Sequence, residues 1–430
     1  MDANLKINFY KNIGEIRALN GVNLAPKLHN QKNRNMNEAY RALKIPYARL
    51  HDVPLDNPGM RLVDIQHIFG NREADENDPR NYYFKQTDDY IRNCLGLGTQ
   101  VVYRLGTSIE HSLQNYYAFP PEDFDRWITV CINIIRHYNE GWANGYSWKI
   151  VYWEIWNEPN AKPHMWSGDD KLYYELYARA AKRIRERFSY VKVGGPALSC
   201  PVQYDAPLKY TDDFLEYCRK ENAPLDFYSW HCYTTCLEEI VDEPARVRKV
   251  LDRFRFTETE LHLNEWHYVP TWEYSAKARA RLSDAESAAF TTAVLTSWQD
   301  SPLTMGGFYT ASVIWGIYDA YGVFLKTYYA LHAFARMLEH PRRVEAVSPE
   351  KNVTVLAGMD ADGKAAVLVS AYRSPAKTIR LEMKGAEERR FRISCLDESG
   401  DAPFDCGEED GGLISLDLKS ESAIFLLTEV

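Results

Sequence analysis

Long apolar runs are missing from this 430-residue chain: no stretch of about 18 apolar residues occurs, so the sequence offers no candidate membrane-spanning helix. Basic clusters are missing as well. Lys and Arg number 51 against 60 Asp and Glu, a formal net charge of −9, and no K/R-rich run interrupts that balance. Nucleic acid and anionic membrane are therefore not expected partners. Cysteine is sparse, eight residues in all, too dilute for a disulfide scaffold. Cys232 and Cys236 lie close together beside His231 in "HCYTTC", but no second ligand pair at a zinc-like spacing accompanies them. Neither HExxH nor GxxxxGK[ST] is present, and "GLG" at 96–98 lacks the rest of a dinucleotide fingerprint. The expectation is a protein with no metal and no organic cofactor. "MDANLKINFYKNIGEIRALN" holds no apolar core of signal-peptide length, which gives a cytoplasmic location as the expectation and a removed leader as the alternative.

What the chain holds in quantity is aromatic side chains, 29 Tyr and 11 Trp among them. Most fill a core, but the excess also suits a site that stacks on the apolar faces of sugar rings. Short apolar runs recur from about residue 17 to 315: "LNGVNL" (19–24), "IPYARL" (45–50), "TQVVYRL" (99–105), "KIVYWEIW" (149–156), "VKVGG" (191–195), "DFYSWHCY" (226–233), "ELHLNEW" (260–266) and "GGFYTAS" (306–312). Helical patterns separate them. Residues 124–138 and 171–188 repeat apolar side chains at helical spacing, and "SDAE" (283–286) predicts a capping box that opens a long helix. Eight strands alternating with helices predict a (β/α)₈ barrel over 15–338. Beyond it, period-2 runs such as "KTIRLEMKG" and "SESAIFLLTEV" predict a small antiparallel sandwich over 339–430, to which residues 1–14 add a strand.

Chemistry in such barrels sits at the C-terminal ends of the strands. That rule gathers Arg49, His51 and Asp52 from strand two, Asn157 and Glu158 from strand four, and His231 and Tyr233 from strand six. Strand seven adds Glu265 and Trp266, and strand eight Tyr309 with Trp315 beyond it. Two carboxylates facing each other across a pocket are what glycoside cleavage requires, one to protonate the leaving oxygen and one to attack or activate water. Their environments must push the two pKa values apart. Glu158, beside Trp156 and Pro159, is expected to be the raised acid, and Glu265, with Arg49 and Tyr233 in reach, the ionised carboxylate. Glu154 lies four residues before Glu158, about 13 Å deeper along a strand, and reads as a structural carboxylate inside the barrel.

The residues also carry a resemblance. "YWEIWNEPN" (152–160), "MWSG" (165–168), "VKVGGPA" (191–197), "RLHD" (49–52), "WHCYTT" (230–235) and "LNEWHY" (263–268) resemble glycoside hydrolase family 39, which contains β-xylosidases and α-iduronidases. The resemblance implies a retaining (β/α)₈ glycosidase with Glu158 as acid/base and Glu265 as nucleophile. It also implies Asn157, His51, His231 and Tyr233 as contacts to the sugar or nucleophile. Arg49, Trp266 and Trp315 complete the expected substrate-binding set from their places at strand ends. The run "EWHYVPTWEY" after the nucleophile departs from the family pattern, which leaves the accepted sugar open. The expected activity is a retaining exo-glycosidase on an oligosaccharide, β-xyloside first. The alternatives are an α-L-arabinoside, β-glucoside or β-galactoside, or a carbohydrate-binding protein without turnover. Oligomeric state is not legible.

Overall fold

The computed structural model describes residues 2–430 except 27–34, 56–60, 111–113, 204–205, 274, 313–314 and 320. All eight expected strands are present and close into a parallel barrel: Gly21–Asn23, Tyr47–Leu50, Gln100–Leu105, Tyr152–Ile155, Lys192–Leu198, Phe227–Thr234, Glu260–Tyr268 and Met305–Phe308. They are numbered one to eight below. The eighth pairs with the first through Gly307↔Gly21 and Phe308↔Val22. Glycine is required at this seam. A Cβ on Gly21 would meet the Gly306 carbonyl oxygen at 2.4 Å, and one on Gly307 would meet that of Asn264 at 2.5 Å.

The helices form where apolar residues recur at helical spacing. Phe124–Glu140 starts at Asp123, whose side chain accepts from the Arg126 N–H at 3.1 Å, and stops at Gly141 in the left-handed region (φ 75°). The helix expected from "SDAE" runs over Ala285–Ser297, but its cap is Asp284, not Ser283: the Asp284 carboxylate accepts from the Ser287 N–H at 2.9 Å. Aspartate caps as well as serine does, so the box opens one residue later. This helix is buried on nearly all sides because it lies between the barrel and the second sheet. There Ser370 donates to the Ala289 carbonyl at 2.7 Å.

That second sheet has nine strands, eight of them within Arg342–Glu429 and the ninth at Asp2–Glu15. Asp2–Glu15 pairs antiparallel with Arg342–Val347 and parallel with Thr378–Lys384, so one parallel ladder departs from the purely antiparallel expectation. Thr378–Lys384 alternates strictly, with Ile379, Leu381 and Met383 turned into the core. Among the described residues no helix is long and apolar enough to cross a membrane.

Candidate active site

Strand four ends at Ile155, and the chain then turns sharply: Trp156 (φ 74°) and Glu158 (φ 44°) both occupy the left-handed region. The turn is pinned on both sides. The Trp156 indole donates to the Met165 carbonyl at 2.7 Å, and the Glu158 N–H donates to the Ala197 carbonyl at 2.9 Å. Trp156 is thereby tucked into the core, while the Glu158 carboxylate faces the barrel mouth with its side chain 18% exposed.

Strand seven reaches the same chamber through an irregularity. Its register with strand six shifts between Leu263 and Glu265, so Asn264 and Glu265 both point inward. Asn264 donates to Glu154, and Glu265 Oε1 accepts from Arg49 Nη1 at 2.6 Å. The other oxygen of Glu265 accepts from the Tyr233 hydroxyl at 2.6 Å. His231 stands between the two rim carboxylates, its Nδ1 2.7 Å from Glu158 Oε1 and 3.4 Å from Glu265 Oε2. An N–H at Nδ1 is the tautomer that serves both oxygens. The ligand atoms of Glu158, His231 and Glu265 all lie within 4.8 Å of one another. A metal ion could use that spacing, but the Arg49 guanidinium already supplies positive charge 2.6 Å from Glu265 and would repel a second cation.

Arg49 is the hub. Its Nε donates to Glu154 at 2.6 Å, Nη1 to Glu265 at 2.6 Å and Asn23 at 3.2 Å, and Nη2 to Asn157 at 2.6 Å. Burial disfavours its charge, but Glu154 and Glu265 more than offset this and hold it above the usual arginine value. Burial raises the Glu265 carboxyl, opposed by His231 and Arg49 and reinforced by Glu158. The expectation that its partners simply hold Glu265 low is thus met by a counter-current from desolvation. The hydrogen-bond pattern still favours the ionised form, since Arg49 and Tyr233 both donate and burial keeps the Tyr233 hydroxyl protonated.

His51 adjoins the cluster, its Nδ1 accepting from Arg104 Nε at 3.1 Å and its Nε2 3.4 Å from Asp52. Burial lowers its pKa well below the usual value against the pull of Asp52, so the ring is neutral. Asp52 also accepts from the Tyr309 hydroxyl at 3.1 Å. Trp315 meets the Tyr233 ring edge-on at 6.0 Å. Trp266 is the exception. With Glu265 turned inward, strand alternation sends Trp266 outward, where it is fully buried against Trp298 (5.0 Å) and Phe308 (5.3 Å), away from the chamber. Its place in the substrate-binding set is withdrawn.

Two features were not assigned to the site from sequence. Glu154 is tied into the site through Arg49, and Ser229 and Asn264 both donate to its other oxygen. Trp272 is 59% exposed, edge-on to Tyr233 (5.5 Å) and tilted against Trp315 (5.4 Å), which puts it at the mouth. It belongs to the divergent run after Glu265, whose Tyr274 lies outside the described residues.

The family model described as "Glycosyl hydrolases family 39" matches residues 16–328. The chain is 24% identical over 339 residues to a β-xylosidase of Caldicellulosiruptor saccharolyticus, covering 72% of this chain and 65% of that protein. It therefore spans less than two thirds of that relative's length. Among solved structures, a glucosidase from Croceicoccus marinus superposes with a TM-score of 0.83 at 21% identity, covering 100% of this chain and 99% of that one. A family 39 enzyme from Xanthomonas axonopodis pv. citri gives 0.75 at 16% identity, covering 99% and 97%. The two structures share the fold, and the family match takes in most of the barrel with both rim glutamates: the chain belongs to glycosyl hydrolase family 39.

Proposed function

We propose that the protein is a retaining exo-glycosidase, with Glu158 as acid/base, Glu265 as nucleophile and a β-xyloside as the first substrate to try. The observation that carries this reading is the pair of rim carboxylates from strands four and seven, whose ligand atoms lie within 4.8 Å of each other. Retaining enzymes hold their carboxyl groups about 5–5.5 Å apart, whereas inverting enzymes leave about 6.5–9.5 Å for a water.

In the first step Glu158 gives its proton to the leaving oxygen while Glu265 attacks the anomeric carbon. Arg49 and Tyr233 hold the attacking carboxylate in line, and His231 Nδ1 stands between the two glutamates. In the second step Glu158, now ionised, takes a proton from water, which displaces Glu265 and restores the resting state. Asn157, held by Arg49 Nη2, is positioned to bond the sugar 2-hydroxyl. No cofactor is called for.

Activated 2-deoxy-2-fluoro glycosides, pentosyl and hexosyl, test the reading. They should add one sugar mass, mapped to Glu265, and the size of the gain separates pentose from hexose. A gain on another residue overturns the assignment. No gain from any sugar, together with binding of oligosaccharide without turnover, points to the non-catalytic alternative.

A further inference from the structure

The mechanism above makes no use of Glu154, yet it is the most thoroughly buried carboxylate of the chamber, with a side-chain exposure of 0%. It sits on the fourth strand opposite Arg104 and below the rim. Its oxygens are fully engaged: Oε2 accepts from Arg49 Nε at 2.6 Å, and Oε1 accepts from Ser229 Oγ at 2.6 Å and from Asn264 Nδ2. Arg49 carries one positive charge and faces two carboxylates at the same distance, Glu154 through Nε and Glu265 through Nη1. A scaffold needing only shape at this position would be served by an apolar side chain, since a buried ion pair is poor value for stability alone.

We propose that Glu154 is a positioning residue that divides the charge of Arg49 with Glu265 and so keeps the nucleophile more basic than sole use of that guanidinium would allow. This rests on the assignment of Glu265 as nucleophile. Geometry and charge act together. Anchored at Nε, the guanidinium plane presents Nη1 to Glu265 and Nη2 to Asn157, so one carboxylate orients the partners of both. The remaining groups around Glu265 are Glu158 from the loop after strand four, His231 and Tyr233 from strand six, and Tyr309 from strand eight. Around Glu154 they are Arg104 on strand three, His262 on strand seven and Tyr173 on the helix Asp170–Arg187. Of these, Arg49 alone is a permanent cation that touches both carboxylates.

Glu154→Gln keeps the shape and removes the charge. The site can absorb it: Asn264 Oδ1 has no hydrogen-bond partner among the described residues, so turning the Asn264 amide supplies an acceptor for the new NH₂. With Arg49 left to Glu265 alone, the acidic limb of kcat/KM should move down by about one pH unit, and the plateau should fall as the nucleophile loses basicity. Ser229→Ala, which removes a hydrogen bond but no charge, should leave the limb in place. Glu154→Met repeats the test with a neutral side chain of similar length.

A carboxyl ¹³C titration of Glu265, assigned with Glu265→Gln, reads the same shift without turnover. If fluoro-glycosides fail to label the wild type, the functional reading falls, and the ¹³C titration still decides the role of Glu154. A folded Glu154→Gln or Glu154→Met whose Glu265 midpoint and acidic limb match the wild type overturns the proposal.

Discussion

Arg49→Met offers the sharpest test of the electrostatic argument. Methionine approximates the length of the arginine stem but leaves Glu154 and Glu265, with side chains 0% and 7% exposed, facing the vacated position without a counter-ion. Removing one partner of a buried ion pair costs about 3–5 kcal/mol, because the charge left behind has lost its compensation. The penalty applies only while the carboxyls are ionised. Burial already raises Glu265 in the presence of Arg49, and losing the guanidinium raises it further. A carboxyl whose folded pKa lies above its unfolded value keeps its full stability below the unfolded value, about 4.3, and loses stability as pH rises through the folded value. The gap between Arg49→Met and wild type should therefore be small near pH 4.5 and reach about 3–5 kcal/mol above pH 7. Urea unfolding at the two pH values, followed by tryptophan fluorescence, measures it. An equal gap at both would mean that Arg49 contributes packing rather than charge, and the account of the hub would be wrong.

Glu158→Ala should lower turnover by about 10²–10⁴-fold, with the smaller loss on substrates whose leaving groups need no protonation. Added azide should restore rate and yield a glycosyl azide of retained configuration; an azide of inverted configuration would contradict the double displacement. Trp272→Ala should raise KM by up to about tenfold with little change in kcat, since the exposed ring at the mouth is free to stack on the sugar and one aromatic contact is worth about 0.5–1.5 kcal/mol. An unchanged KM would place Trp272 outside the binding path. Glu243 lies outside the site: burial raises its carboxyl to about 7 against the hydrogen bond that the Trp230 indole donates at 2.9 Å. Its raised value favours folding below about pH 4.3 and is lost as pH rises through 7, so Glu243→Gln should gain about 3 kcal/mol on wild type above pH 7 and nothing near pH 4. A gain that does not vary with pH would show that its charge is not the source.

The barrel was legible because each of its strands is an apolar run bounded by polar turns, and the alternation with helices repeats eight times. The rim carboxylates were legible for a related reason: a glutamate closing an apolar run has few bland explanations. What failed did so where a single residue of register decides the outcome. Trp266 follows the nucleophile directly, and the inward turn of both Asn264 and Glu265 reverses which face it takes. No periodicity in "LHLNEWHY" announces that irregularity. Trp272 escaped because a loop side chain has no alternation to be read from. Glu154 reads from sequence as a structural carboxylate inside the barrel, where it lies, but not as part of the site, because distance along a strand measures reach to the rim and not connection through a shared cation. Arg49 supplies that connection, spanning from Glu154 to Glu265 with one planar group. A barrel interior collects side chains from strands far apart in sequence, here positions 49, 154 and 265, and their coupling is set by which of them one guanidinium can touch at once. That is a property of closure, and it becomes visible only when strand two stands between its partners across the chamber.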